Sequence, residues 1–148
     1  MSKKTPIYLA ADHAGFALKE KIKTFLEKNR EIIDLSPALK KEDDYPLHAQ
    51  KVALALLDNQ NALGILVCGT GHGMDIAANR YQGIRAIVAR NVDDAVLARE
   101  HNHANILVLG GWVTKPALAQ KIIERFLATK PSTAARHKRR VASLDRLV

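Results

Sequence analysis

The sequence predicts an α/β protein in three layers, a five-stranded parallel sheet flanked by helices. Two observations carry this reading. Short apolar runs alternate along the chain with longer stretches of helical periodicity, the signature of successive strand–helix–strand units. Two of those runs, Gly64-Ile65-Leu66-Val67-Cys68 and Asn105-Ile106-Leu107-Val108-Leu109, form continuous apolar segments, as expected for strands covered on both faces by helices.

The first strand is read at residues 7–11 and the first helix at about 16–29. In that helix Phe16, Leu18, Ile22, Phe25 and Leu26 gather on one side while the lysines face water. A second strand at 31–34 leads into a polar, proline-containing loop at 36–44. The next helix starts at Tyr45-Pro46, where proline suits a first turn, and runs to Leu57. The third strand, 64–68, passes through Gly69-Thr70-Gly71-His72-Gly73 into a helix over 73–81. The fourth, 85–89, precedes a helix over 93–101, and the fifth, 105–109, one from Lys115 or Pro116 to Ala128. A last helix over 132–147 takes Ser132 as its N-cap after Pro131. Its apolar stripe of Ala134, Val141 and Leu144 is thin, so this C-terminal helix is expected to pack on a partner subunit. The whole reads as one Rossmann-like domain spanning residues 1–148, without linker, repeat or low-complexity tract.

Composition agrees with a single compact unit: 148 residues, 47% apolar and 26% charged, enough to bury a core and too apolar for a disordered chain. The longest unbroken apolar stretch, 52–57, is far too short to cross a bilayer. The basic start Met1-Ser2-Lys3-Lys4 is followed by only a brief apolar run before Asp12, too short for a secretory segment, and a cytoplasmic protein is expected. The formal net charge is +8, of which +5 falls in residues 130–148. A basic end of this kind serves a polyanion, or presents a few arginines to one phosphate. The single cysteine, Cys68, has no partner within the chain for a disulfide; it is either a buried small hydrophobe or a working thiol.

In open parallel sheets ligands bind beyond the carboxyl ends of the strands. Asp12-His13-Ala14-Gly15 follows the first strand there and the glycine segment follows the third. Alternating Gly69, Gly71 and Gly73 let backbone amides approach a ligand and open straight into a helix, a setting that favours anionic oxygens. No Lys-Ser/Thr pair follows, and the spacing is not that of a dinucleotide fingerprint, so nucleotide cofactors are disfavoured. Cys68 stands one residue before this loop, where the amide dipoles of the next helix favour a thiolate; an inert core cysteine is the alternative. Asp12 and His13 place a carboxylate and an imidazole at one crevice, although an aspartate after a strand also caps helices. His101 and His103 invite a metal, but no further ligands stand at convincing spacing. Arg136 and Arg140 share a helix face, where two guanidinium forks can hold one phosphate or simply form a solvated basic face. His48 and Met74 read as ordinary helix residues.

Six blocks occur in order: Asp12-His13-Ala14-Gly15; Asp44-Tyr45-Pro46; Cys68-Gly69-Thr70-Gly71-x-Gly73-x-x-Ile76-Ala77-Ala78-Asn79; Gly83-Ile84-Arg85-Ala86; His101-Asn102-x-x-Asn105; and Arg136-His137-x-x-Arg140. With them the chain resembles, over nearly its whole length, the type B ribose-5-phosphate isomerases, in a family that also includes galactose- and allose-6-phosphate isomerases. The resemblance implies cofactor-free aldose–ketose isomerisation, with no metal: the furanose opens and a proton moves between C2 and C1 through an enediolate. It implies Cys68 as the base, Thr70 as its hydroxyl partner, and the amides of Gly69, Gly71 and Gly73 as oxyanion donors. His101 would promote ring opening with Asp12 assisting, Asn102 would bind hydroxyls, and His13, Arg136, His137 and Arg140 would hold the phosphate. The family's homodimers and homotetramers share sites between subunits, so a lone subunit is expected to be inactive.

Three positions depart from the pattern. Trp112 stands in Gly110-Gly111-Trp112-Val113 where relatives commonly carry an arginine, His72 where an apolar or amide side chain is usual, and Asp75 where serine or glutamine is familiar. Some relatives use a glutamate in place of the cysteine; its position here is Met74, which leaves Cys68 as the base. The leading expectation is ribose 5-phosphate as substrate. A hexose 6-phosphate is the close rival. A non-enzymatic sugar-phosphate binder or a nucleic-acid binder is the reading from another class, the latter marked by affinity that falls steeply with salt.

Overall fold

The computed structural model describes residues 4–147; the basic start at Met1-Ser2-Lys3 and the final Val148 lie outside the described residues. Strands β1 (Ile7–Ala11), β2 (Ile32–Asp34), β3 (Leu63–Cys68), β4 (Ala86–Val88) and β5 (Ile106–Gly110) form one sheet in the order β2-β1-β3-β5-β4. Each neighbouring pair is parallel. The helices are α1 (Phe16–Leu26), α2 (Tyr45–Asp58), α3 (His72–Ala78), α4 (Val92–Asn102), α5 (Pro116–Ala128) and α6 (Ala135–Asp145). The period-two alternation of the strands divides the core. Leu9, Ile65, Val67 and Leu107 pack with α1, α4 and α5. Ala10, Leu66, Ile106 and Val108 pack on the other face with α2 and α3.

This topology makes a crevice. β1 and β3 are neighbours, with Ala11 opposite Val67. The chain leaves β1 into α1 on one face and leaves β3 into α3 on the other, so the two exits diverge and open a gap at the carboxyl edge between them. Asp12 and Cys68 stand at its two sides.

The exit from β1 is fixed by a buried cation. Lys19 of α1 is 0% exposed; its Nζ donates to Asp34 Oδ2 at 2.9 Å and to the Ser36 carbonyl at 2.7 Å, and it lies 4.3 Å from the centroid of the Phe16 ring. Ser36 in turn accepts the Ala11 amide on Oγ at 2.9 Å. Burial pushes the Asp34 carboxyl up, but hydrogen bonds from Lys19, the Ser36 amide and Lys23 outweigh it and hold the group below its ordinary range.

The strand and helix order is as predicted, and the differences lie at ends. α1 stops at Leu26, short of 29, and the chain leaves it through a turn in which the amides of Asn29 and Arg30 share the Leu26 carbonyl. α3 stops at Ala78, short of 81, because the side chain of Asn79 leaves for β4: Nδ2 donates to the Ala86 carbonyl at 2.9 Å and Oδ1 accepts the Ala86 amide at 2.8 Å. Ser132 does not cap the last helix, which begins three residues later at Ala135 with Ala134 as an N-cap that makes no side-chain bond. Instead Ser132 ties the linker to the end of α4. Its amide donates to the Glu100 carbonyl at 2.9 Å and its own carbonyl meets His103 Nε2 at 3.0 Å.

Candidate active site

At the carboxyl edge the chain around Cys68 is set by close backbone contact. The Asp12 amide donates to the Val67 carbonyl at 3.3 Å, and the Gly15 amide to Asp12 Oδ1 at 3.0 Å. A Cβ on Gly15 would lie 2.2 Å from the Val67 carbonyl oxygen, so only glycine lets α1 start this near β3. Asp12 is buried and closes the turn into α1 by accepting the Gly15 amide on Oδ1, ahead of the helix rather than as its N-cap, which is Gly15; no described residue donates to Oδ2.

Cys68 is 4% exposed, and its Sγ accepts the Gly71 amide at 3.2 Å. Gly71 reaches that position with φ of +91°, a left-handed conformation that turns its N–H back on the sulfur. An N–H aimed at sulfur supports negative charge there. Thr70, half-buried beside it, accepts the His72 amide on Oγ1 at 3.3 Å. Two aromatic rings wall the glycine loop, Trp112 against Gly69 and Tyr45 against Gly73. Trp112 is 72% exposed, and its amide donates to the Gly69 carbonyl at 2.9 Å. Asp75, in the first turn of α3, has its carboxyl raised by burial against the opposing pull of His72 and Asn79. His72 is exposed, with Arg90 Nη2 at 3.4 Å from its Nε2.

His13 stands at the same edge in a network the sequence reading missed. Its amide donates to Asp43 Oδ1 at 2.7 Å, and its ring Nδ1 lies 3.1 Å from the same oxygen. His48 Nε2 reaches Asp43 Oδ2 at 2.6 Å. Asp43 lies in the polar loop before α2, where no local pattern marks it out. For His48 a signal existed: it continues the buried stripe of Ala49, Val52, Ala53 and Leu56, and a polar ring on an inward face requires a partner.

The remaining predicted residues lie at the other end of the molecule. α4 leaves the carboxyl edge after β4 and returns to the amino edge before β5, so His101 and Asn102, in its last turn, are at the amino edge. There the His101 ring stacks on His137 of α6, with centroids 4.4 Å apart and planes 12° from parallel. His137 is buried; burial and then the nearby His101, Arg136 and Arg140 push its imidazole below the ordinary value. Arg136 and Arg140 are exposed on α6. One chain therefore brings together Asp12, His13, Cys68, Thr70, Gly69, Gly71 and Gly73 at the carboxyl edge, and His101, Asn102, His137 and the two arginines at the amino edge. A cavity of about 570 Å³ opens at the amino edge among Arg30, Arg85, Arg99 and His103, away from the crevice. Among the described residues no three His, Cys, Asp or Glu side chains gather to hold a metal ion.

An open parallel sheet with a carboxylate, a cysteine sulfur and a glycine cradle at its switch-point crevice defines an α/β protein that handles a small polar ligand. Residues 7–144 match the family described as Ribose/Galactose Isomerase. The ribose-5-phosphate isomerase B of Escherichia coli strain K12 is 40% identical over 93% of this chain and 93% of its own. That of Mycobacterium tuberculosis strain H37Rv is 41% identical over 91% and 85%. Among solved structures, a Thermotoga maritima ribose 5-phosphate isomerase superposes with a TM-score of 0.92 at 47% identity, covering 97% of this chain and 99% of that one. The Mycoplasma genitalium ribose-5-phosphate isomerase B with bound ribulose-5-phosphate gives 0.91 at 37% identity, covering 99% and 96%. The chain belongs to the ribose/galactose isomerase family.

Proposed function

We propose that this protein interconverts D-ribose 5-phosphate and D-ribulose 5-phosphate without a cofactor. The observation that carries the reading is the Cys68 sulfur at the β1/β3 crevice, beside Asp12 and under the Gly71 N–H, in a chain of this family. In the forward direction His101 and Asp12 assist opening of the furanose. The Cys68 thiolate takes the proton from C2 and the electron pair moves to O1, giving an enediolate. The amides of Gly69, Gly71 and Gly73 support the oxygen where charge develops. The hydroxyl proton on O2 is relayed to O1 with Thr70 alongside, and the thiol returns its proton to C1, leaving the ketone at C2. Asn102 binds hydroxyls. His13, Arg136, His137 and Arg140 hold the phosphate, whose binding energy orients C1 and C2 against the sulfur.

These roles require groups from both edges of the sheet. A site made from the carboxyl edge of one copy and the amino edge of another supplies them, which supports a homodimer or a higher, homotetrameric assembly. Exposed Leu47, Leu54 and Ile76 on the α2/α3 side and Leu144 on α6 provide apolar surface for such contacts. No helix among the described residues is long and apolar enough to cross a membrane, and the reading places the enzyme in the cytoplasm with no nucleic-acid partner.

A hexose 6-phosphate is the second reading, favoured by Trp112: an exposed indole replaces a cation at the mouth of the glycine loop. Parallel assays with ribose 5-phosphate, allose 6-phosphate and galactose 6-phosphate decide between them. Turnover of ribose 5-phosphate is expected; turnover of a hexose phosphate alone rejects the first reading.

A further inference from the structure

We propose that Asp43 and His48 are a positioning pair for His13, holding its imidazole with Nδ1 turned inward and Nε2 free to donate to the phosphate of the substrate. The inference rests on the reading of His13 as a phosphate ligand and adds two residues to it.

The geometry is specific. Oδ1 of Asp43 meets both the backbone N–H and the ring Nδ1 of His13, so one oxygen grips the residue at two points and fixes the ring relative to the chain. Oδ2 is taken by His48 Nε2 at 2.6 Å, which leaves the carboxylate no freedom to rotate. Side-chain exposure falls inward along the line, 44% for His13, 13% for Asp43 and 8% for His48. The anchor is therefore in the core and the working end in the crevice. His13 Nε2 makes no hydrogen bond to any described residue.

His48 itself has little other purpose at its position. Its ring is buried on the α2 stripe and its Nδ1 has no hydrogen-bond partner. An apolar side chain would fill that place without an orphaned nitrogen. What the imidazole provides is its one polar contact, to Asp43. That carboxylate also stands just before the start of α2, where the helix dipole favours negative charge.

The charged and titratable groups around His13 come from three elements: Asp12 at the exit of β1, Asp43 from the loop before α2, and His48 from α2 behind it. The Asp43 hydrogen bond, against desolvation and with the charge of Asp12 added, raises the His13 imidazole above its ordinary value. In Asp43 burial pushes the carboxyl up, but the bonds from His48 and His13 overcome it and hold the group low. His13 thus stays a cationic donor over a wider range on the alkaline side. A phosphate monoester is mostly dianionic only above about pH 6, and the interval in which dianion meets imidazolium is widened by the pair.

The test is steady-state kinetics with ribose 5-phosphate across pH for wild type, Asp43→Asn, His48→Gln, His48→Phe and His13→Asn. Long-range 1H–15N spectra of the His13 ring accompany them. Asp43→Asn is expected to raise KM about tenfold or more with a much smaller change in kcat, and to move the alkaline rise of KM to lower pH. His48→Gln keeps a donor and stays near wild type, whereas His48→Phe shifts KM in the direction of Asp43→Asn. In wild type the spectra should show a hydrogen-bonded proton on Nδ1 of His13; should Asp43→Asn fail to fold, its absence overturns the proposal unaided. If His13→Asn raises KM while Asp43→Asn leaves both KM and its pH limb unchanged, the positioning pair is wrong and the phosphate reading survives. If His13→Asn leaves KM unchanged, the phosphate reading itself has failed.

Discussion

The sulfur of Cys68 receives an amide hydrogen bond from a residue whose backbone is turned for that purpose. Cys68→Ala is expected to lower kcat by about 10²- to 10⁴-fold, the span typical of one acid–base group, while ribulose 5-phosphate still binds; calorimetric titration against the inactive variant checks the second half. Lys19 is a fully buried cation, held by Asp34 and the Ser36 carbonyl. Removing a buried cation from its carboxylate costs about 3–5 kcal/mol, so Lys19→Ala should show that loss in urea unfolding. Because the folded state holds Asp34 below its ordinary 3.8, the pair's contribution is complete above that value and disappears as the pH falls through the lower, folded one. Cys68, Asp12 and the glycines were legible in the sequence because they follow strands directly. Asp43 was not, since its partner His13 is thirty residues away and no local pattern announces a contact of that range.

Among the elements, the β3–α3 turn and α6 carry the most of the proposed site. Gly71→Ala forces a side chain into a left-handed backbone at a cost of about 1–2 kcal/mol and displaces the N–H from Cys68, so activity should fall by more than the change in melting temperature suggests. α6 is held to the rest of the chain by few buried side chains, His137 and Val141, with the half-exposed Arg85–Asp145 pair at its far end. Its arginines are free of that duty. Arg136→Ala with Arg140→Ala should leave thermal unfolding almost unchanged and raise KM for ribose 5-phosphate by an order of magnitude or more. The alternation of strands and helices was readable from apolar periodicity. The start of α6 was not, because Ser132 follows a good capping pattern yet is claimed by Glu100 and His103 at the end of α4. Strand order was equally beyond local sequence, since parallel neighbours are joined by tertiary packing rather than by a turn.

At the scale of the whole molecule, the sheet separates Cys68, the proposed base, from His101, the histidine proposed to open the ring. Cys68 pairs with Gly110 at the carboxyl ends of β3 and β5, whereas His101 stacks on His137 beyond their amino ends. No hinge within so continuous a core joins them, and in the proposed mechanism a second copy of the chain brings them together. In a two-fold dimer, Cys68→Ala and His101→Ala each spoil both sites, but a mixed dimer of the two variants keeps one intact site. Unfolding the two inactive proteins together and refolding them should recover about a quarter of wild-type activity, since half the dimers are mixed and each has one good site of two. A refolded mixture as inactive as either variant alone, with mixed dimers demonstrably present, would contradict a site built from opposite edges of two subunits.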